Sequence, residues 1–228
     1  MKARGFTLIE LLVAMALFGG ILSLLLTSFF QFQGTGSRLE STLAARQELR
    51  NLEALIRQDL ASAVYLPHYA TAVDGQAPPS GIVGVNNQDE GQERDLVSMH
   101  VAARGRFYTG FRRALNPELF EVAYRFKRDA QGVLGFYRRE GYYLGGPLDE
   151  GEEAIEHRLS TRLKSLDLKY YGQDNLALDS WNSNAEQPMP LGVMVVLGLE
   201  EAPGQVIESR FVLNLRPSMG PGVSWRDR

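Results

Sequence analysis

Gly5-Phe6-Thr7-Leu8-Ile9-Glu10-Leu11-Leu12-Val13-Ala14 opens an apolar run that continues to Phe30. From Phe6 to Phe30 there are 25 residues, no proline and one charge, Glu10. As a helix rising about 1.5 Å per residue the run spans ~37 Å, enough to cross a hydrocarbon core about 30 Å thick with some tilt. Ahead of it Met1 to Gly5 is short and basic, with Lys2 and Arg4. That leader predicts a cytoplasmic N-terminus and puts everything after Phe32 on the far side of the membrane. A cleaved secretory signal would carry a shorter apolar region, about 7–15 residues ending in small side chains. A plain anchor explains the length but not Glu10, because a carboxylate in lipid costs about 2–3 kcal/mol and asks for a partner.

The composition around this run is that of a folded chain. Its 228 residues are 44% hydrophobic and 22% charged, room for one ordinary domain beyond the apolar segment. A net charge of −3 excludes a global polycation. With no cysteine, disulfides, thiolate metal sites and cysteine nucleophiles are excluded together. Three histidines, His68, His100 and His157, are too few for a His-rich metal centre.

After the junction at residues 31–37 a second helical pattern begins. Ala45, Leu49, Leu52, Ile56, Leu60 and Ala63 repeat at intervals of three or four, one apolar stripe. Arg46, Glu48, Arg50, Glu53, Arg57 and Asp59 occupy the other faces, mixed in sign and suited to solvent. Pro67 is expected to end the helix, near Tyr65. Glycine, proline, asparagine and acids between Pro67 and Arg94 predict a long surface loop with one short strand at Ile82 to Val85. Leu96 to Val101 reads as a strand. Phe120, Val122, Tyr124 and Phe126 alternate with Glu121, Ala123, Arg125 and Lys127, and Asp129-Ala-Gln-Gly132 turns into a partner at Val133 to Arg139. Leu166, Leu168 and Tyr170 alternate in a further strand, Leu191 to Leu199 reads as a strand buried on both faces, and Glu201-Ala-Pro-Gly204 turns into Val206 to Leu215. One long helix followed by six or seven mostly antiparallel strands predicts an α+β domain whose sheet packs on the helix.

The ten residues from Gly5 to Ala14 closely resemble the class III signal of type IV pilins and type II secretion pseudopilins. The resemblance implies cleavage by a prepilin peptidase between Gly5 and Phe6 and N-methylation of Phe6. It also makes Glu10 the assembly glutamate that faces the terminal amine of a neighbouring subunit. The physics agrees, since a buried cation and a buried anion are each costly alone and less so together. Cleavage would leave 22 basic and 27 acidic residues. The implied organisation is a leader over 1–5, a membrane and assembly helix over 6–32, its amphipathic half over 33–66 and a β-rich periplasmic domain over 67–228. Leu52-Glu-Ala-Leu-Ile-Arg57-Gln-Asp59-Leu60, the hairpin from Leu119 to Arg138 and the Leu191–Leu199 strand with Arg210-Phe211-Val212-Leu213 look like the J-type minor pseudopilins, a pattern shared with PilW-like minor pilins. A major subunit fits less well, because this domain is large for one and has no cysteine pair to staple its C-terminus. The partners so implied are other minor pseudopilins or pilins, the major pilin, the prepilin peptidase and an inner-membrane assembly platform driven by an ATPase, with the domain at the tip of a pilus-like filament. Which machine is served, type II secretion, a type IV pilus or a competence apparatus, stays open at this level.

Other candidate sites weigh less. Gly19 and Gly20 lie mid-span and cost up to ~1 kcal/mol each in a helix relative to alanine, so they mark either a soft spot or a close helix–helix contact. No G-x-S-x-G elbow, H-E-x-x-H helix or G-x-G-x-x-G turn is present, so no catalytic residue, cofactor or metal is expected. His157 follows Glu152, Glu153 and Glu156, which reads more simply as a solvated acidic turn than as a metal site. Asp174, Asn175 and Asp179 offer oxygen ligands but lack the spacing of a calcium loop, and are ordinary turn formers. From Arg104 to Arg139 nine Lys or Arg face three acids. Arg104, Arg106, Arg112, Arg113, Arg138 and Arg139 with interleaved aromatics could contact DNA in a competence apparatus. The simpler reading is a sheet with an arginine-rich solvent face.

Overall fold

The computed structural model describes residues 8–65, 81–102, 119–141, 154–174, 176–183 and 189–215. Among them is one helix, α1 (Leu8–Ala61), of 54 residues. Contacts divide the chain into two units, residues 1–44 and residues 45–228.

In the first unit the apolar part of α1, Leu8–Phe30, has no buried residue. Leu8 is 77% exposed and Phe18 68%. Apolar side chains point outward around the whole circumference, and none of them is buried among the described residues.

Among its described residues the second unit holds α1 from Ala45 onward and twelve strands: β1 (Ile82–Val85), β2 (Gln88–Asp89), β3 (Gln92–Glu93), β4 (Leu96–Ala102), β5 (Leu119–Arg128), β6 (Leu134–Gly141), β7 (Ala154–Ser160), β8 (Leu163–Tyr171), β9 (Ala177–Leu178), β10 (Trp181–Asn182), β11 (Gly192–Ala202) and β12 (Gln205–Asn214). Six form a sheet in the order β10-β1-β4-β5-β6-β7, four a sheet in the order β12-β11-β8-β9, and β2 and β3 a small hairpin. All paired strands run antiparallel. The two larger sheets are stitched at Arg94 and Asp95, where Arg94 bridges Leu166 and the Asp95 N–H donates to the Leu166 carbonyl at 3.0 Å. The α+β expectation therefore holds, with the sheet residues divided between two sheets that share one core with the helix.

The helical stripe reads as expected. Ala45, Leu49, Leu52, Ile56, Leu60 and Ala63 are all buried. They join one cluster with Met99, Val122, Tyr124 and Phe136 of the six-stranded sheet and Leu166, Leu168, Val195 and Leu197 of the four-stranded one. Burying a side chain of this size stabilises by about 1.5–3 kcal/mol, so the stripe accounts for much of what holds helix to sheets.

Pro67 does not set the helix end. The Ser62 N–H donates to the Gln58 and Asp59 carbonyls and that of Ala63 to the Leu60 carbonyl, tightening the final turn. Ala63 then pairs with Val101, and the Val64 N–H donates to the His100 carbonyl at 2.9 Å. Pairing with β4 draws the chain off the helix at Ala61, ahead of the proline.

The turns behave as their chemistry dictates. Asp129 Oδ1 accepts the N–H groups of Gln131 and Val133, and Gly132 takes φ 79°, closing β5 onto β6. Gly204, at φ 75°, closes β11 onto β12. Where the acidic loop after β1 was expected to stay irregular, β2 and β3 form a hairpin whose Glu90 and Gly91 take φ 51° and 72°, the left-handed pair of a tight turn. Of the acidic stretch expected as a turn, Glu152 and Glu153 lie outside the described residues, while Glu156 and His157 belong to β7, where Glu156 is held by Arg125 and Lys127 of β5. β11 is fully buried on the face of Val193, Val195, Leu197 and Leu199, while on the other Gly192 and Gly198 are buried and Met194 and Val196 half-buried, so that second face is closed only in part. In β5 Glu121 and Ala123, which alternate with the apolar residues, are buried as well.

Candidate assembly segment

The Leu8–Phe30 part of α1 is 23 residues long and apolar enough to cross a membrane, about 35 Å at 1.5 Å per residue. Its backbone groups are satisfied within the helix, as lipid demands. A hydroxyl–carbonyl bond in this stretch, Thr27 Oγ1 to the Ser23 carbonyl at 2.8 Å, also stays within it. Glu10 sits in the first turn, exposed among Leu8, Ile9, Leu11 and Leu12. Gly5 and Phe6 lie outside the described residues. Helix runs unbroken through Gly19 and Gly20, and a Cβ on either would meet open space.

The second unit holds a charge cluster that the sequence reading missed. Asp59, placed there among residues suited to solvent, is 2% exposed. Its Oδ2 accepts the Tyr124 hydroxyl at 2.6 Å and Arg138 Nε at 2.7 Å. Arg138 is likewise 2% exposed and also binds the carboxylate of Glu140, which is fully buried. Burial works against the Arg138 charge, but the Asp59 bond and charge outweigh it and hold the guanidinium's pKa above its ordinary value. Burial, then the Asp59 charge, push the Tyr124 hydroxyl well up. Tyr124 and Arg138 are cross-strand partners, and Val122 pairs with Glu140, so the strand register brings all these side chains to the helix. Alternation along the strand puts Phe136, Arg138 and Glu140 on one face, but that this face is the core one is seen only in the structure, where Phe136 is buried.

This burial corrects the basic run. Arg138 and Arg139 do not belong to a solvent-facing strip: Arg139 is 8% exposed, with Glu121 at 3.5 Å. Arg125 and Lys127 bind Glu156, and Arg128 binds Glu90 at 2.6 Å. Arg104, Arg106, Arg112 and Arg113 lie outside the described residues. Of the oxygen-rich loop, Asp179 binds Lys169 at 2.9 Å and Asp174 Oδ1 accepts the Leu176 N–H at 3.2 Å, each thereby serving the local fold, while Asn175 lies outside the described residues. His157 faces Arg138 across the β6–β7 ladder.

Two further buried groups titrate abnormally. Burial raises Asp95 to about 6, against the lowering effect of the Asn87 and Leu168 N–H groups that its carboxylate accepts. Burial lowers His100 to about 4, and its Nδ1 accepts the Gly81 N–H.

Residues 28–213 match the family described as Type II secretion system (T2SS), protein J, and residues 1–28 match the prokaryotic N-terminal methylation motif. No curated protein matches the chain. The methylation motif ends inside the exposed apolar helix, and the two together fit a single-pass inner-membrane anchor. A match over more than half of its length, joined to a prepilin-type start, places the chain in the type II secretion protein J family, among the minor pseudopilins.

Proposed function

We propose that this chain is a non-catalytic structural subunit that helps to initiate or cap a pilus-like filament driven by an inner-membrane ATPase machine. The observation that carries the reading is Glu10, a single carboxylate on an exposed apolar helix that starts with a methylation motif. In lipid that acid is costly, and the terminal amine of a neighbouring subunit supplies the opposite charge. Cleavage falls between Gly5 and Phe6, and Phe6 becomes the methylated terminus. The partners are other minor pseudopilins, the major pseudopilin, the prepilin peptidase and the assembly platform, and the domain stands on the periplasmic side near the filament tip. Gly19 and Gly20 serve as the place where the helix adjusts when subunits pack. Ion pairing of Arg125, Lys127 and Arg128 within the domain supports this assembly role over DNA contact.

Mass spectrometry of the mature protein is the direct test. The expected first residue is N-methylated Phe6, and a chain beginning elsewhere overturns the reading. Replacing Gly5 by a bulky residue is expected to block the shortening. Glu10→Leu is expected to insert normally yet assemble poorly, and unimpaired filament formation would contradict the charge-pairing argument.

A further inference from the structure

The helical stripe that packs on the sheets has a weakness. Leu49, Leu52, Ile56 and Leu60 repeat every three or four residues, so sliding the helix by one turn, about 5.4 Å, lays Ile56 where Leu52 was and Leu60 where Ile56 was. Apolar burial is non-directional and changes little in such a slip. It sets which face of the helix is buried and specifies poorly how far along the sheet the helix sits.

Asp59 differs in kind. Its Oδ2 takes two directional bonds, from Tyr124 on β5 and Arg138 on β6, and Arg138 in turn is held by Glu140. All four side chains are buried, and Tyr124 faces Arg138 in the strand register, so the receptor for Asp59 is fixed to two paired strands. A one-turn slip carries the carboxylate beyond hydrogen-bond reach and leaves buried charges without compensation, which is strongly unfavourable. Backbone pairing of Ala63 with Val101 anchors the chain after the helix, and Asp59 carries that anchor one turn into the helix itself.

We infer that the Asp59–Tyr124–Arg138–Glu140 cluster is a register lock: the apolar stripe supplies the stability of the helix–sheet packing, and the buried charges select one axial position for it. The lock is a property of residues 45–228 and goes beyond the assembly reading, so it is tested without a filament.

The chain has no cysteine, which leaves introduced pairs without competition. Ser209 Oγ donates to Glu53 Oε2 at 2.7 Å, so Glu53→Cys with Ser209→Cys reports the native register. Arg57→Cys with Ser209→Cys reports the position one turn away. In the otherwise unchanged full chain, held in detergent and oxidised briefly, the first pair is expected to form a disulfide at least ~tenfold faster than the second, given how strictly the bond depends on Cα separation. The same pairs are then placed in a chain carrying Asp59→Leu, Arg138→Met and Glu140→Leu. That chain is expected to melt cooperatively, since hydrophobic replacement of a buried ion cluster is often neutral or stabilising. Its two pairs are expected to form at rates within about threefold of each other. A cooperative chain that keeps the tenfold preference overturns the lock. If the triple variant loses cooperative melting, Asp59→Asn decides in its place, because it keeps the side-chain shape while removing the charge. A reduced preference supports the lock, and an unchanged one overturns it. Failure of the filament reading would show in the Phe6 and Glu10 experiments and would leave these rates untouched.

Discussion

The two ends of α1 contain much the same apolar residues and meet opposite fates. Between Leu8 and Phe30 they cover every side of the helix and stay exposed. Between Ala45 and Leu60 they keep to one stripe and are buried against two sheets. A helix apolar all round cannot be satisfied by packing on one side, so its partner must be a bilayer or a bundle of like helices. A striped helix needs one matching surface, and this chain provides its own. The same residue types therefore define an outward-directed element and a core element, and the periodicity decides between them.

Substitutions should separate the two ends most strongly at the buried cluster. Arg138→Met alone, which strands Asp59 and Glu140 in the core, is expected to destabilise the domain by about 3–5 kcal/mol in urea unfolding. An equal change in the full hydrophobic replacement would instead make the charges a source of stability. Ile56→Ala should cost about 2–5 kcal/mol through the cavity it leaves. Its counterpart Leu17→Ala, in the exposed part of α1, should move the domain's unfolding by less than about 0.5 kcal/mol. Comparable losses at both positions would mean that the two parts do not answer to different surroundings. Gly84→Ala is expected to cost about 1–3 kcal/mol, because a Cβ there would lie 1.9 Å from the Tyr170 hydroxyl oxygen. Tyr170→Leu, which removes the ring whose carbons would lie at 2.2 and 2.6 Å as well as the hydroxyl, should cost less in the Gly84→Ala chain than in the parent, and equal costs in both would locate the strain elsewhere.

The smallest net effect is expected with pH, because two buried groups oppose each other. Asp95 has its pKa raised to about 6, so the folded domain holds a proton there that the unfolded chain releases near pH 3.8. Its contribution is complete below that value and is lost as pH rises through about 6. His100 is lowered to about 4, so the unfolded chain takes up a proton first, near pH 6.5. Its contribution is complete above 6.5 and is lost as pH falls through about 4. Each displacement corresponds to about 3 kcal/mol at full extent, and between pH 4 and 6 they offset. His100→Gln should therefore make stability fall more steeply with rising pH across this window than in the parent. Asp95→Asn should make it rise more steeply. Urea midpoints at several pH values from 4 to 6.5 measure both, and parallel profiles for all three proteins would remove these two groups from the account.

Several elements were legible in the sequence because their signals are local. The stripe from Ala45 to Ala63, the turns at Asp129–Gly132 and Pro203–Gly204 and the alternation of Leu166, Leu168 and Tyr170 depend on neighbours a few residues away. Glu10 was legible for the same reason, as one charge in an apolar run. The misread elements depend on distant partners. β7 looked like a turn because its acid is held by cations from β5, 31 residues away for Arg125 and Glu156. The helix end was assigned to Pro67 because nothing local announces that β4 will capture Ala63 and Val64.

Periodicity and charge placement, which are written along the chain, were enough to define the spanning run, its lone acid, the amphipathic continuation and the α+β class. Tertiary structure alone decided that Asp59 would be buried with Arg138, 79 residues later, and that Arg138 and Arg139 would leave the surface. A charged side chain reads as solvent-facing until a partner of opposite sign is brought to it, and only the paired strands and the helix laid on them bring those groups within 3 Å.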